Sequence, residues 1–189
     1  MKRLEFSPLA LQLIFILKDK KLGRRTLTSR IGSSESEVRT TLDKLRNKQF
    51  VKMDRSGTEL TAKGQDYFYP LLDSIEKIAN LELRELAVDE FNKGALLNSI
   101  SLEEKTWFYR DLAVREGATG AILISCEGEL SFLNTGENIG EQNPTDEKEL
   151  IRKFPNWEEG QLIVVTSAPN QKKADIGLWR IVNNLLLNN

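Results

Sequence analysis

The sequence contains no histidine. A single chain therefore cannot assemble a Ser-His or Cys-His pair or a His-ligated metal site, and the common hydrolase and metalloenzyme chemistries lose their usual base or ligand. One cysteine, Cys126, stands in 189 residues. It excludes an internal disulfide and a thiolate metal cluster, and it suits a reducing compartment. No run of eighteen apolar residues exists, and the apolar start MKRLEFSPLALQLIFILKDK has no small-residue cleavage site after it. The expectation is a cytoplasmic protein with no membrane partner, no cofactor and no enzymatic activity.

What is present is enough apolar content, 40% of residues, for a packed core in each of two small domains. Charge divides unevenly along the chain. Residues 1–80 carry 16 Lys and Arg against 10 Asp and Glu, a net +6, whereas residues 81–189 carry 11 against 18, a net −7. A positive domain joined to a negative one fits a nucleic-acid reader that carries a separate sensing or assembly module. The expected division is a first domain over 1–80 and a second over 81–189.

In the first domain, Ser7-Pro8 reads as an N-cap followed by proline at the first helical position. Leu9, Leu11, Leu13, Ile14, Ile16 and Leu17 then make a helix apolar over most of its circumference, buried either in the domain core or against a second chain. A short helix from about Arg24 to Ile31 follows, and Gly32-Ser33 turns into a third helix opened by the capping box of Ser34 and Glu37. Phe50–Asp54 and Thr58–Leu60 read as two short strands around Arg55-Ser56-Gly57. Thr61 caps a last helix, AKGQDYFYPLLDSIEKIA, kinked or divided at Pro70.

On the third helix Val38, Leu42 and Leu45 point inward, which turns Ser36, Thr40, Asp43 and Asn47 outward with Arg39 and Lys44 at the flanks. Ser, Thr and Asn side chains bond base edges, and Arg39, Lys44, Arg24, Arg25 and Arg30 can neutralise phosphates. Arg55 at the turn and Lys52 beside it extend the positive surface. Asp43 repels phosphate. It must accept from a cytosine amino group, pair with Lys44, Arg46 or Asn47, or stand clear.

The run SRIGSSESEVRTTLDKLRNKQFV followed by GTELTAKGQDYF resembles the winged helix-turn-helix domains of MarR-, ArsR- and PadR-type transcription regulators. The resemblance spans about residues 8–78 and includes the L-T-x-K-G helix opening at Leu60 to Gly64. It implies binding of double-stranded DNA.

In the second domain, LRELAV and GALLNSI read as strands on either side of residues 88–93, and a helix runs from Leu102 to Glu116 behind the capping box of Ser101 and Glu104. Gly117 closes it. Ala121–Ser125 and Glu129–Leu133 then flank Cys126-Glu127-Gly128 as a hairpin, Asn134–Pro144 is a loop or lid, and Thr145 caps a helix ending near Phe154. A buried strand over Gln161–Thr166 and a helix from Asn170 to Leu187 complete the order β, α, β, β, α, β, α. The fold class expected is α+β, a winged helix-turn-helix followed by a small α/β sandwich.

The segment YRDLAVREGATGAIL has two readings. In one, Gly117 is a helix C-cap and Gly120 relieves crowding of helix on sheet; in the other, Arg110, Arg115, Gly117, Thr119 and Gly120 line a crevice for an anionic small molecule, unless Arg110 pairs with Asp111, Glu103 or Glu104. The run also resembles an uncharacterised archaeal family of the same two-domain layout. Cys126 is read as structural, with Glu127 raising its pKa. Trp157, in PNWEEG, covers a pocket or subunit contact or else plugs the core.

Taken together, these features describe a homodimeric DNA-binding transcriptional regulator whose second domain senses a small-molecule effector or holds the dimer together. The runner-up is an adaptor that uses the winged helix to dock another protein, and a third option is an enzyme active site in the second domain.

Overall fold

The computed structural model describes residues 6–98 and 100–188. The chain forms two compact units that divide between Asp73 and Ser74, not after residue 80.

The first unit contains α1 (Pro8–Leu17), α2 (Arg24–Ile31), α3 (Glu35–Asn47), the strands β1 (Val51–Asp54) and β2 (Gly57–Leu60), and α4 (Ala62–Leu72). Ser7 caps α1 by accepting the Ala10 N–H at 3.2 Å, and both halves of the Ser34–Glu37 capping box are made at α3. Leu11, Leu13, Ile14 and Leu17 are all buried, so α1 is enclosed on more than one side within its own unit. Gly32 ends α2 in the left-handed region at φ 68°. Val38, Leu42 and Leu45 bury the inner face of α3 as their spacing requires. The strands pair antiparallel from Val51↔Leu60 to Asp54↔Gly57, and a bridge between Leu22 and Thr58 adds a third short partner to this hairpin. Phe6, Phe50, Tyr67 and Phe68 form a cluster of edge-on and tilted rings that seats α4.

The expected last helix is cut short. Pro70 lies in its final turn, α4 stops at Leu72, and residues expected to continue it become β3 (Ile75–Leu81). Ile75 and Leu81 are buried in the second unit and the segment pairs with β4 (Phe91–Leu97), so sheet pairing overrides helical tendency here.

The second unit continues with α5 (Thr106–Arg115), β5 (Gly120–Glu127), β6 (Glu129–Phe132), α6 (Ile139–Gln142), α7 (Pro144–Lys153), β7 (Gln161–Ala168) and α8 (Gln171–Asn188). Its strands lie in the order β3-β4-β7-β5-β6, every neighbour antiparallel. Ile163 and Val165 of β7 face a core with Leu83, Leu86, Leu150 and Phe154. The opposite face of the strand carries Thr166, whose hydroxyl donates to the Ala174 carbonyl of α8 at 2.9 Å. Alternation along β7 thus puts α8 on one side and α7 on the other, an α/β sandwich in an α+β chain. The buried Asp175 pairs with the half-buried Lys93 at 3.0 Å and fastens α8 to β4.

Several expectations for this unit are corrected. LRELAV is not a strand, because the N–H groups of Arg84, Glu85 and Leu86 are taken at 2.9, 2.8 and 2.7 Å by the fully buried carboxylate of Asp146 instead of by a neighbouring strand. Leu83 and Leu86 still reach the core. The Ser101–Glu104 box does not open the helix: α5 begins at Thr106, and the Glu104 N–H points to the Tyr109 hydroxyl. The loop expected over 134–144 contains α6, drawn in by the buried Ile139. Asn143, not Thr145, stands at the N-cap of α7, and Pro144 occupies its first position. The β5–β6 turn narrows to Gly128 at φ 74°. Ser99, inside the expected strand 94–100, lies outside the described residues.

Candidate nucleic-acid interface

Helix α3 presents Ser36, Arg39, Thr40, Lys44 and Asn47 to solvent, as the 3.6-residue period requires once Val38, Leu42 and Leu45 are buried. Asp43 is taken by Arg46, one turn on, at 3.1 Å, which resolves the awkward carboxylate in favour of pairing. Arg24, Arg25 and Arg30 are exposed on α2 and Arg55 is exposed at the hairpin turn.

Two of the expected phosphate contacts are already engaged. Arg24 meets Glu35 at 3.0 Å and Lys52 meets Glu59 at 3.3 Å. Among the described residues no ion pair holds Arg25, Arg30, Arg39, Lys44 or Arg55. Arg24, Arg25 and Arg55 are brought together, since the start of α2 and the turn 53–58 line one shallow cavity of about 370 Å³. Lys44 and Asn47 belong to a separate cavity of about 400 Å³, floored by Phe6, Ala10 and Leu45.

The turn itself is built around Asp54. Its Oδ1 accepts the Ser56 N–H, the Ser56 hydroxyl and the Gly57 N–H at 2.8, 2.6 and 3.2 Å, while Oδ2 accepts Lys21 Nζ at 2.6 Å. Lys21 also reaches Glu59 at 3.1 Å. The Lys21 ammonium holds both carboxyls below their ordinary range, helped at Asp54 by Ser56, and the two carboxylates raise Lys21 in return, Asp54 more than Glu59. Gly57 sits at φ 142°, where a Cβ would meet the Leu22 carbonyl at 2.9 Å. Arg55 therefore projects from a turn fixed on both sides. Sequence reasoning missed Lys21, Asp54 and Glu59. The D-x-S-G pattern signals Asp54, but nothing local signals Lys21, which arrives from 33 residues away.

In the second unit, Arg110 and Arg115 lie five positions apart on α5, about 140° around the axis. Both are exposed; Arg110 bonds Asp111 at 3.1 Å. Gly117 ends the helix at φ 95° against the Lys173 side chain, and a Cβ on Gly120 would press on Val88 at 2.9 Å. Thr119 donates its hydroxyl to Asp89, which lowers that carboxyl. Gly117 thus ends the helix as in the first reading, the neighbour of Gly120 is Val88 of an irregular segment and not a helix, and Arg110 and Arg115 point to different sides of α5. Cys126 is fully buried, and its thiol is pushed up to about 11 by desolvation, not by Glu127. Half-buried Trp157 packs on the sheet core. Among the described residues no helix is long and apolar enough to cross a membrane.

Two family models match separate segments of the chain. Residues 11–77 match the family model described as the CggR N-terminal DNA binding domain, and residues 98–185 match a domain of unknown function, DUF4443. No curated protein matches. The solved hypothetical protein PH0730 from Pyrococcus horikoshii OT3 is similar in fold, with a TM-score of 0.73 at 24% identity over 96% of this chain and 93% of that one. The chain thus carries an N-terminal DNA-binding domain of helix-turn-helix type followed by a domain of unknown function.

Proposed function

We propose that the protein is a transcriptional regulator that reads duplex DNA as a winged helix. In this reading Ser36, Thr40 and Asn47 of α3 meet base edges, Arg39 and Lys44 take flanking phosphates, and Arg55 on the hairpin reaches the adjoining groove or backbone. The observation that carries it is the outer face of α3, where cations and hydrogen-bonding side chains stand exposed while Asp43 is neutralised by Arg46. The match of residues 11–77 to a DNA-binding domain supports it.

The regulator is a homodimer in the cytoplasm, because one reading helix covers only a short site and usable specificity comes from two half-sites related by a twofold axis. The second unit mediates assembly or senses a small molecule without catalysis. An effector that prefers one state of the dimer shifts half-site spacing and hence occupancy of the operator.

Fluorescence anisotropy of labelled duplexes, including the protein's own upstream region, tests this at several salt concentrations. Binding that favours one duplex, weakens steeply with salt and is abolished by R39E with R55E is the expected result. Absence of duplex binding at low salt would sink it in favour of a protein-docking adaptor.

A further inference from the structure

The carboxylates on the expected DNA side of the first unit are not scattered. Glu35 holds Arg24, Asp43 holds Arg46, and Glu59 holds Lys52 together with Lys21. Among the arginines of the expected contact set, Arg24 differs from Arg25, Arg30, Arg39 and Arg55 in having such a partner among the described residues. Glu35 and Arg24 come from the first positions of α3 and α2, and both side chains remain well exposed, 58% and 42%. The guanidinium–carboxylate spacing of 3.0 Å is close to that of a guanidinium on a phosphate oxygen.

Resting on the DNA-binding reading above, we propose that Glu35 sets the protein's affinity for duplex DNA by competing with the DNA backbone for Arg24. In the free protein the carboxylate satisfies the guanidinium. On DNA the same guanidinium must leave Glu35 before it can neutralise a phosphate. Non-specific binding draws nearly all its strength from phosphate neutralisation, so the competition lowers affinity for any duplex. At an operator, where base contacts fix the register, the exchange is offset by interactions that a random sequence does not offer. An exposed pair of this kind is worth up to about fivefold in affinity, small enough to be broken on a correct site.

A double-mutant cycle tests it on the full chain with a labelled duplex of random sequence. Wild type, E35Q, R24Q and R24Q/E35Q are titrated at a series of salt concentrations. Thermal melting of each confirms that the exposed substitutions leave the fold intact. The expected result is that E35Q tightens binding about two- to fivefold when Arg24 is present and changes it little when Arg24 is replaced. From E35Q to the double variant the salt slope falls by about 0.9, one phosphate contact. An equal gain in both backgrounds would mean that Glu35 acts only through its field on the DNA, and weaker binding by E35Q would make the pair a helix-positioning contact; either overturns the proposal while leaving DNA binding standing. Failure of all four proteins to bind any duplex would remove both readings.

Discussion

Asp146 Oδ2 lies 2.7 Å from the backbone nitrogen of Leu86, at a point where Asp146 has no solvent exposure. With the N–H groups of Arg84 and Glu85 on the same carboxylate, one side chain replaces a neighbouring strand for a segment that has none. D146A leaves these donors without an acceptor, at a cost of about 3 kcal/mol or more. D146N, which keeps one acceptor oxygen, falls between. Urea unfolding followed by tryptophan fluorescence measures this in the right place, because Trp107, Trp157 and Trp179 all belong to the second unit. A D146A midpoint equal to wild type would refute the anchoring role.

Gly64 has an equally specific task. A Cβ there would stand 2.1 Å from the Phe50 carbonyl oxygen, so α4 can lie against that strand start only with glycine at this position. This is the physical content of the L-T-x-K-G opening, in which Thr61 caps the helix through the Gly64 N–H at 3.0 Å. G64A is expected to cost about 2–4 kcal/mol, well above the usual effect of glycine to alanine in a helix. The loss is read as an earlier circular dichroism transition of the full chain that tryptophan fluorescence, confined to the second unit, does not follow.

The thiol of Cys126 sits at about 11 against an ordinary 9.0 because burial disfavours the thiolate. A pKa raised in the folded state means a contribution to stability that is intact below pH 9 and lost as pH climbs from 9 towards 11. At pH 8 the native protein is therefore expected to react with a thiol-specific reagent orders of magnitude more slowly than the urea-unfolded chain. Comparable rates in the two states would place Cys126 at the surface.

Lys21 and Asp54 predict the opposite pH behaviour for the hairpin. Asp54 is depressed chiefly by Lys21, then by Ser56, and Glu59 likewise by Lys21, so their help to the turn is present at neutral pH and fades on acidification through the depressed values. In K21M the Asp54 carboxyl should titrate nearer the ordinary 3.8, visible in a carbon-13 NMR titration. D54N should speed amide exchange at Ser56 and Gly57 by about tenfold or more, since both N–H groups lose a charged acceptor. Unchanged exchange would show that β1–β2 pairing alone sets the turn.

What was legible in the chain was what neighbours in sequence decide. The caps at Ser7, Ser34 and Thr61, the apolar stripe of α3 and the turn at Gly57 are local events, and all occur where their residues indicate. The exposure of Ser36, Arg39, Thr40 and Lys44 follows from the same stripe. What escaped is long-range. IEKIANL takes a strand because β4 is there to pair with it, LRELAV stays irregular because Asp146 comes from about sixty residues away, and the Ser101–Glu104 pattern is overridden by a helix that starts at Thr106. The carboxylates that clamp Arg24 and Lys52 were equally invisible, since composition counts charges but not their partners.

The place of β7 at the centre of its sheet sets a timetable for synthesis. β4 and β5 share no hydrogen bonds; each pairs with β7, whose residues 161–168 are synthesised after every other strand of this sheet. Until then the nascent second unit holds two unconnected ladders, β3–β4 and β5–β6, with apolar faces uncovered. The helix-turn-helix unit, complete by Asp73 and built from contacts close in sequence, is able to fold nearly a hundred residues earlier. Demand for chaperone protection therefore falls on the interval between the two events, and slowing translation after residue 168 should relieve aggregation where slowing it before should not.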